Sequence, residues 1–252
     1  MKVLVTRPAT QADDWVQQLR AKGLDAAALP LIGISPAINT MPVVLAWVQL
    51  AKRKLVVFVS PNAAEQFFAV KPAGMFWPAE VHAACTGPGT GQMLLKLGVP
   101  RDRLIEPAAD APQFDSESLW TRLATMQWQG ASVLLVRGDG GREWLSEQLT
   151  SQGAAVSKVV AYHSTAPKFN KAQRAQLNAA LAFPQHHLWL FSSSEAVTHL
   201  ASAVTFGNWH KAWAVATHPR IAARAQELGF SNVVQTRPAI DAVAACIQSL
   251  AT

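Results

Sequence analysis

The sequence repeats itself at a shift of about 130 residues. A shift of 130 places Val3, Leu4, Arg7, Leu19 and Gly23 on Val133, Leu134, Arg137, Leu149 and Gly153. Shifts of 133 and 131 bring parts of segments 58–63 and 88–98 onto 191–196 and 219–229. A repeat of this length contains several secondary-structure elements, so the chain must build two similar halves.

Each half alternates short apolar segments with amphipathic ones. Short apolar runs bounded by turn residues predict buried strands, and a spacing of three to four residues between apolar positions predicts helices. Such alternation indicates an α/β fold with parallel sheets, in which ligands bind at the carboxyl ends of strands. The predicted strands are 3–6, 26–31, 55–59, 82–86 and 103–106, then 133–136, 158–162, 188–191, 212–216 and 232–235; predicted helices include 62–68, 91–97, a long one from about 115, 143–152 and 222–228.

The composition favours a small acidic ligand over a macromolecular one. The chain has 252 residues, 50% of them hydrophobic, which is enough for one or two domains with a large core. Its net charge is +6, yet only 15% of residues are charged and no run of Lys or Arg occurs, which argues against nucleic acid. A polyanion held in a cleft fits better. The nine tryptophans are interpreted as aromatic core, with stacking on a flat ligand as the minority alternative.

The location and redox state are also constrained. Apolar runs are too short to span a bilayer, and Met1 leads straight into a strand, so we expect no membrane association and a cytoplasmic protein. Cys85 and Cys246 lie in apolar contexts without CxxC spacing, which favours free buried thiols. The seven histidines are scattered, and the neighbours His186 and His187 diverge, so no metal site is predicted.

An arginine-glycine loop follows one predicted strand. Residues 133–136 form a short apolar run, 137–141 read Arg-Gly-Asp-Gly-Gly, and a helix is predicted from Glu143. A strand, a glycine loop and a helix start can hold an anion. A tight glycine turn without a ligand explains the pattern equally well. The loop is not a nucleotide P-loop, because no Gly-Lys-Ser/Thr follows.

Polar residues recur at the carboxyl ends of the predicted strands. Each group immediately precedes a helix, so for any single one a helix-capping role alone is the safer interpretation. Together they would line one crevice with hydroxyls, backbone N–H groups and two arginines, a surface suited to several carboxylates. The groups are Thr6-Arg7, Ser60-Pro61-Asn62, Thr86-Gly87 with Pro88, Gly89 and Thr90, Arg137-Gly138, Ser192-Ser193-Ser194 and Thr217-His218.

These segments carry a family resemblance. In order, the chain contains VLVTRP at 3–8, FVSPNAAEQFF at 58–68, TGPGTGQMLLKLG at 86–98, VLLVRGDGGREWL at 133–145, Tyr162, FSSSEAV at 191–197 and ATHPRIAARAQELG at 216–229. Each piece is loose by itself, but their order and spacing are specific. Over its whole length the chain resembles uroporphyrinogen-III synthases.

The resemblance implies a particular chain path. It implies two similar doubly wound, flavodoxin-like parallel-sheet domains joined by a two-stranded ladder. The first domain would comprise 1–35 plus 165–252 and the second 36–164, with crossovers at 30–36 and 162–167. The Pro and Gly residues there also suit ordinary turns, so the residues alone would not reveal the crossing. A monomer is expected.

The resemblance also implies a reaction. The family converts hydroxymethylbilane, an open-chain tetrapyrrole with eight carboxylates, into uroporphyrinogen III with loss of water and inversion of ring D. No cofactor is used. Tyr162, the sole tyrosine, is the implied proton donor, and the strand-end groups together with Arg220 are the implied substrate-binding residues. Without the resemblance, an amphipathic strand residue with an exposed hydroxyl explains Tyr162 equally well.

One position departs from the family pattern. The second-half motif commonly reads Gly-Pro-x-Thr-Ala, and here it reads His218-Pro219-Arg220-Ile221-Ala222. The missing hydroxyl supports a rival hypothesis, a non-catalytic two-domain binder of an anionic tetrapyrrole-like ligand. A scaffold for protein partners is weaker, because no contiguous exposed apolar patch is evident in the sequence.

Overall fold

The structure is a computed structural model that describes residues 1–204 and 207–250. It divides into two compact units: Met1–Gly33 with Thr165–Thr252, here called unit 1, and Ile34–Ser164, called unit 2. The strands are β1 (Lys2–Val5), β2 (Ala26–Ala28), β3 (Gly33–Pro36), β4 (Leu55–Phe58), β5 (His82–Cys85), β6 (Leu104–Ile105), β7 (Ser132–Gly138), β8 (Ala155–Thr165), β9 (His187–Phe191), β10 (Trp213–Ala216) and β11 (Asn232–Gln235). The α-helices are α1 (Ala9–Ala21), α2 (Met41–Val48), α3 (Pro61–Ala69), α4 (Pro88–Lys96), α5 (Ser116–Leu123), α6 (Trp144–Ser151), α7 (Lys171–Ala182), α8 (Ser194–Ala203), α9 (Pro219–Glu227) and α10 (Ile240–Ser249).

The two sheets share one strand order, which explains the sequence repeat. Unit 1 contains a sheet of order β11-β10-β9-β1-β2, and unit 2 contains one of order β3-β8-β7-β4-β5-β6. If the strands are numbered 1 to 5 by their position within a repeat half, leaving β3 out, both sheets have the order 2-1-3-4-5. This is the doubly wound arrangement. The pairings that join β1 to β2 and β9, and β7 to β8 and β4, are parallel. The predicted fold class is confirmed.

Each unit is built from parts of both halves of the sequence repeat. Unit 1 combines the first two strands of the first half with the last three of the second, and unit 2 combines the complementary strands. The chain therefore crosses between the units twice, at β3 and at the end of β8. In the sheet β3 is hydrogen-bonded to β8. Ala37 N donates to Ala161 O at 3.2 Å, and a Cβ at Gly33 would lie 2.4 Å from Thr165 Oγ1, so the two segments run in opposite directions.

The tryptophans belong to the cores, as the composition suggested. All nine are buried or partly buried. In unit 2, Trp47 stacks on Phe67 with ring centroids 4.9 Å apart and donates its indole N–H to the Phe67 carbonyl at 2.8 Å. A smaller aromatic group in unit 1 places Trp189 edge-on to Trp209 at 5.7 Å. These contacts bury large apolar area next to the strands whose carboxyl ends carry the polar residues.

Several sequence expectations are corrected. The long helix expected from about 115 is only Ser116–Leu123, with Asp115 as its side-chain cap. Strand β2 ends at Ala28 rather than at residue 31, and β8 is longer than predicted because it extends through the crossover. Large exposed apolar side chains also occur together, contrary to the expectation from the sequence: Ile38, just before α2, and Met41, Leu45 and Val48 on α2 are all more than half exposed.

Both cysteines are free thiols, Cys85 buried and Cys246 partly buried. Burial, and then the neighbouring carboxylate of Glu106, raise the pKa of the Cys85 thiol to about 12. Among the residues that the structure describes, no helix combines the length and the apolar character needed to cross a membrane.

Candidate active site

Tyr162 reaches across one strand to a serine on the next. The order β8-β7-β4 places Tyr162 on β8 two strands away from Ser60, which follows β4. Between them, Gly138 on β7 is paired with Tyr162 in the register. The Tyr162 hydroxyl lies 3.1 Å from Ser60 Oγ. A Cβ at Gly138 would lie 2.9 Å from Cζ of the ring, so only glycine lets the phenol pass over β7.

Ser60 holds the phenol while it caps a helix. Its Oγ accepts a hydrogen bond from Ala63 N at 3.1 Å, as expected of an N-cap, and it also contacts Tyr162. Pro61 fills the first turn of α3, and Asn62 is buried beside it. Ser60 is therefore both the cap that the sequence predicted and a partner of the tyrosine. The Tyr162 ring is partly buried against the unit 2 core, which limits its movement.

The arginine-glycine loop differs from its prediction. Strand β7 continues through Gly138, and α6 begins only at Trp144, without a side-chain cap. Arg137 is 9% exposed, and it donates to Glu143 Oε1 at 2.6 Å and to Gly141 O at 2.9 Å. Its guanidinium thus organises the loop, and its charge is met by a carboxylate within the loop. The strand, the glycine loop and the helix follow one another as predicted, and binding of an external anion at this helix start stays a prediction.

Glu143 accepts hydrogen bonds from several side chains in and next to this loop. Its other oxygen accepts from Lys158 Nζ and from Ser146 Oγ, the latter at 3.0 Å. Hydrogen bonds from Lys158, then Arg137, then Ser146 lower the pKa of Glu143 to about 2. At the tip of the loop, Asp139 Oδ2 lies 2.8 Å from His163 Nδ1, and this contact lowers the pKa of Asp139. The loop is tied on one side to β8, next to Tyr162.

The remaining strand-end residues of unit 2 flank Ser60. Thr86 Oγ1 donates to the Val59 carbonyl at 3.4 Å, which links the end of β5 to that of β4. Gly87 is the N-cap of α4, and Thr90 in its first turn is buried. Ser60, Thr86, Gly87, Gly138 and Tyr162 therefore share the carboxyl edge of one sheet.

Arg7 marks the corresponding edge of unit 1. It follows β1, packs its guanidinium 4.1 Å from the Trp15 ring centroid, and donates to Gln11 Oε1 at 3.3 Å. Within 1–204 and 207–250 no carboxylate contacts Arg7, and its buried Nε has no hydrogen-bond partner there. Burial lowers the pKa of Arg7 to about 10, so the side chain stays charged at neutral pH. A cation in this state favours an anionic ligand.

Neighbouring strands bring the other predicted residues of unit 1 alongside. Thr6 N donates to Leu190 O, and Thr217 N donates to Phe191 O, so the ends of β1, β9 and β10 are adjacent. Ser193 caps α8 and His218 caps α9, accepting from Glu195 N and Arg220 N respectively. Ser192 and Ser194 flank that cap and are partly buried, whereas Arg220 is exposed.

The unusual residue Ile221 is 6% exposed in α9. Its counterpart in the repeat, Thr90, is 4% exposed. Both are core-facing positions on the first turn of a helix, so isoleucine replaces a buried hydroxyl rather than an exposed one.

Two residues of these edges were missed from the sequence. Glu143 gave no signal, because its pairing with Arg137 depends on the path of the loop. Arg237 follows β11 in the same sheet as Arg7, and its signal was present in the sequence: Thr236-Arg237-Pro238 repeats Thr6-Arg7-Pro8. A comparison at the repeat shift of about 130 does not find this match, because the two copies lie 230 residues apart.

Together, the fold and the sites define a two-unit α/β protein with a held phenol at one sheet edge and an arginine without a carboxylate partner in the described chain at the other. The family model described as uroporphyrinogen-III synthase HemD matches residues 13–245. The chain belongs to the uroporphyrinogen-III synthase family, enzymes of haem biosynthesis that act as cyclising lyases.

Curated relatives agree with this assignment, and solved structures agree with the fold. The uroporphyrinogen-III synthase of Synechococcus elongatus is 30% identical over 201 residues, covering 78% of this chain and 71% of the relative. That of Escherichia coli is 26% identical and covers 92% of this chain and 94% of the relative. A mutant uroporphyrinogen III synthase from the thermophile Thermus thermophilus matches the fold with a TM-score of 0.60 at 15% identity, covering 100% of this chain and 97% of that one. The Helicobacter pylori uroporphyrinogen-III synthetase does so with 0.59 at 14%, covering 99% of each chain.

Proposed function

We propose that this chain cyclises hydroxymethylbilane to uroporphyrinogen III, with Tyr162 as the proton donor to the departing hydroxyl. The observation that carries the proposal is the Tyr162 hydroxyl held 3.1 Å from Ser60 Oγ above Gly138, at the ligand-binding edge of a doubly wound sheet. Family membership supports the reaction, and this geometry supports the residue.

A phenol suits the first step. With an ordinary pKa of about 10, tyrosine is protonated at neutral pH and donates without burying a charge. The C–O bond of the hydroxymethyl group breaks as the pyrrole nitrogen supplies electrons, and the Tyr162 proton leaves with the hydroxyl as water. Ring closure later releases a proton from a pyrrole carbon, which restores the phenol. Ser60 steadies Tyr162 in both protonation states, because its hydroxyl can donate or accept.

Substrate binding is assigned to the strand-end residues of both units. Arg7 is the main carboxylate partner, because its charge lacks a carboxylate among the described residues. Arg137 acts through the loop that it organises with Glu143, and Gly138 acts by admitting the Tyr162 ring. The hydroxyls, helix starts and further cation in the proposal are Ser60, Pro61, Asn62, Thr86, Gly87, Thr90, Ser192, Ser193, Ser194, Thr217, His218 and Arg220.

The proposal includes a cytoplasmic, monomeric protein that needs no cofactor. Free thiols at Cys85 and Cys246 suit a reducing compartment. Light scattering at assay concentration tests the oligomeric state, and a particle of twice 27.1 kDa would contradict a monomer.

The activity is tested with freshly prepared hydroxymethylbilane and the isomer of the macrocycle formed. A synthase yields the type III product at a rate proportional to enzyme concentration. The rival function, a non-catalytic binder, leaves the substrate to close spontaneously to type I. Type I alone, at the rate without protein, would overturn the proposal.

A further inference from the structure

The carboxyl edge of the unit 1 sheet carries a second copy of the Arg7 motif. Thr236-Arg237-Pro238 repeats Thr6-Arg7-Pro8, and each copy joins a parallel strand to a helix, β11 to α10 and β1 to α1. The backbones also correspond: Thr6 N donates to Leu190 O at 3.4 Å, and Thr236 N donates to Ala216 O at 3.0 Å. Each threonine therefore adds one hydrogen bond to its sheet and starts an arginine from the same point of a strand end.

The two arginines leave the sheet at well-separated strand ends. The order β11-β10-β9-β1 separates their strands by three spacings. At about 4.8 Å each, this is about 14 Å along the sheet edge. A ligand with several acidic groups on a broad frame can place a separate carboxylate at each strand end. The residues between them are Ser193 and His218, which cap α8 and α9.

The repeat places the opposite charge at the equivalent point of unit 2. A shift of 131 brings Glu106-Pro107-Ala108 onto Arg237-Pro238-Ala239. Glu106 accepts from Arg101 Nη1 at 2.7 Å, and its carboxylate packs against Gly91, where a Cβ would lie 1.9 Å from Oε1. Unit 2 thus fills this position with a carboxylate of its own.

The other pair of equivalent residues has the same residue type but different partners. Arg137 in unit 2 is bound by Glu143, whereas its counterpart Arg7 contacts no carboxylate in the described part of the chain. The residue equivalent to Glu143 is Asp13, which is exposed on α1. At these two equivalent places unit 2 has Arg137, paired with Glu143, and the acid Glu106, whereas unit 1 has two arginines, Arg7 and Arg237.

We infer that Arg237 binds a second carboxylate of the substrate, distinct from the one bound by Arg7, so that unit 1 recognises the bilane through two separated acidic side chains. This inference rests on the proposed function. It makes Arg237 a binding residue, which holds substrate and transition state equally and is not required for the chemical step.

The test replaces Arg237 by Gln and compares Arg224→Gln as the matched control. Arg224 lies in α9 of the same unit, pairs with Glu227 at 2.9 Å, and its replacement removes the same charge. Arg237→Gln should raise KM for hydroxymethylbilane about 10- to 100-fold, the range expected for a hydrogen bond to a charged group, with kcat within about twofold. The increase should shrink at high salt, and Arg237→Lys should recover part of it.

Bilane analogues that each lack one carboxylate side chain identify the partner. One analogue should bind the wild type more weakly than the full substrate does, and Arg237→Gln should not weaken its binding further. A different analogue should show the same insensitivity to Arg7→Gln. The inference is overturned if Arg237→Gln matches Arg224→Gln in KM, or if every analogue is equally sensitive to it. If the wild type forms no type III product, the proposed function has failed instead, so the two failures are distinguishable.

Discussion

Replacing Gly138 by Ala tests whether the path of Tyr162 over β7 matters for catalysis. The added Cβ would lie 2.9 Å from Cζ, 3.1 Å from Cε2 and 3.3 Å from the hydroxyl oxygen of Tyr162. Carbon atoms pack best at about 3.5–4.0 Å, so the ring must retreat by about 0.6–1 Å. The hydrogen bond to Ser60, now 3.1 Å long, would then exceed hydrogen-bonding distance.

The expected cost is larger for the rate than for the fold. Overpacking of this kind destabilises by about 1–3 kcal/mol, and a catalytic group misplaced by about 1 Å can lose about 10²-fold in rate. We expect Gly138→Ala to lower kcat about 10²-fold, with the product still type III. The assay is the initial rate of uroporphyrinogen III formation well below the unfolding midpoint, with thermal unfolding recorded in parallel.

Gly140→Ala is the control, because a Cβ there meets nothing within 4 Å. It should retain the wild-type rate. In the Tyr162→Phe background, Gly138→Ala should add little further loss, since both changes act through one hydroxyl. A folded Gly138→Ala variant with wild-type kcat would refute the reasoning, as would fully additive losses in the double variant.

Three further predictions concern the surroundings of the site. The pKa of Glu143 is lowered from 4.5 to about 2, so its ionised carboxylate stabilises the folded protein fully above pH 4.5 and loses this effect as the pH falls towards 2. The difference in unfolding midpoint between wild type and Glu143→Gln should therefore vanish between pH 4.5 and 2. A difference that stays constant would contradict the contacts assigned to Glu143. For the thiols, iodoacetamide at pH 8 should label Cys246 before Cys85, whose pKa is raised to about 12, as peptide mass spectrometry would show; faster labelling of Cys85 would be inconsistent with its burial. For Ile221, 6% exposed, the change to Thr should destabilise unit 1 by about 1–2 kcal/mol in denaturant titration without raising kcat; a higher kcat would show that the missing hydroxyl limits catalysis.

The fold was predictable from the sequence because each strand and helix has a local apolar pattern and because the pattern occurs in both repeat halves. Every predicted strand exists, and the shared order of the two sheets follows from the repeat of β/α units. Strand β3 escaped the reading from periodicity, since Gly33-Ile34-Ser35-Pro36 is short and ends in proline. Its pairing with β8 is a long-range contact that no local pattern encodes.

The site was predictable residue by residue but not in its contacts. Ser60, Gly138 and Tyr162 were each named from strand ends and resemblance, yet their meeting depends on the order β8-β7-β4. The ion pair of Arg137 with Glu143 could not be predicted, because it depends on the irregular path of the loop between them. Arg237 could have been predicted, since the Thr-Arg-Pro motif that contains it occurs twice in the sequence.

The most direct test of the account is single-turnover conversion of hydroxymethylbilane by Tyr162→Phe, with both rate and isomer measured. Phe keeps the ring over Gly138 and removes only the hydroxyl that contacts Ser60. The account predicts a rate lower by about 10² to 10⁴, the usual contribution of an acid catalyst, with unchanged product affinity and a product that is still type III. A wild-type rate for Tyr162→Phe would contradict the assignment of the acid.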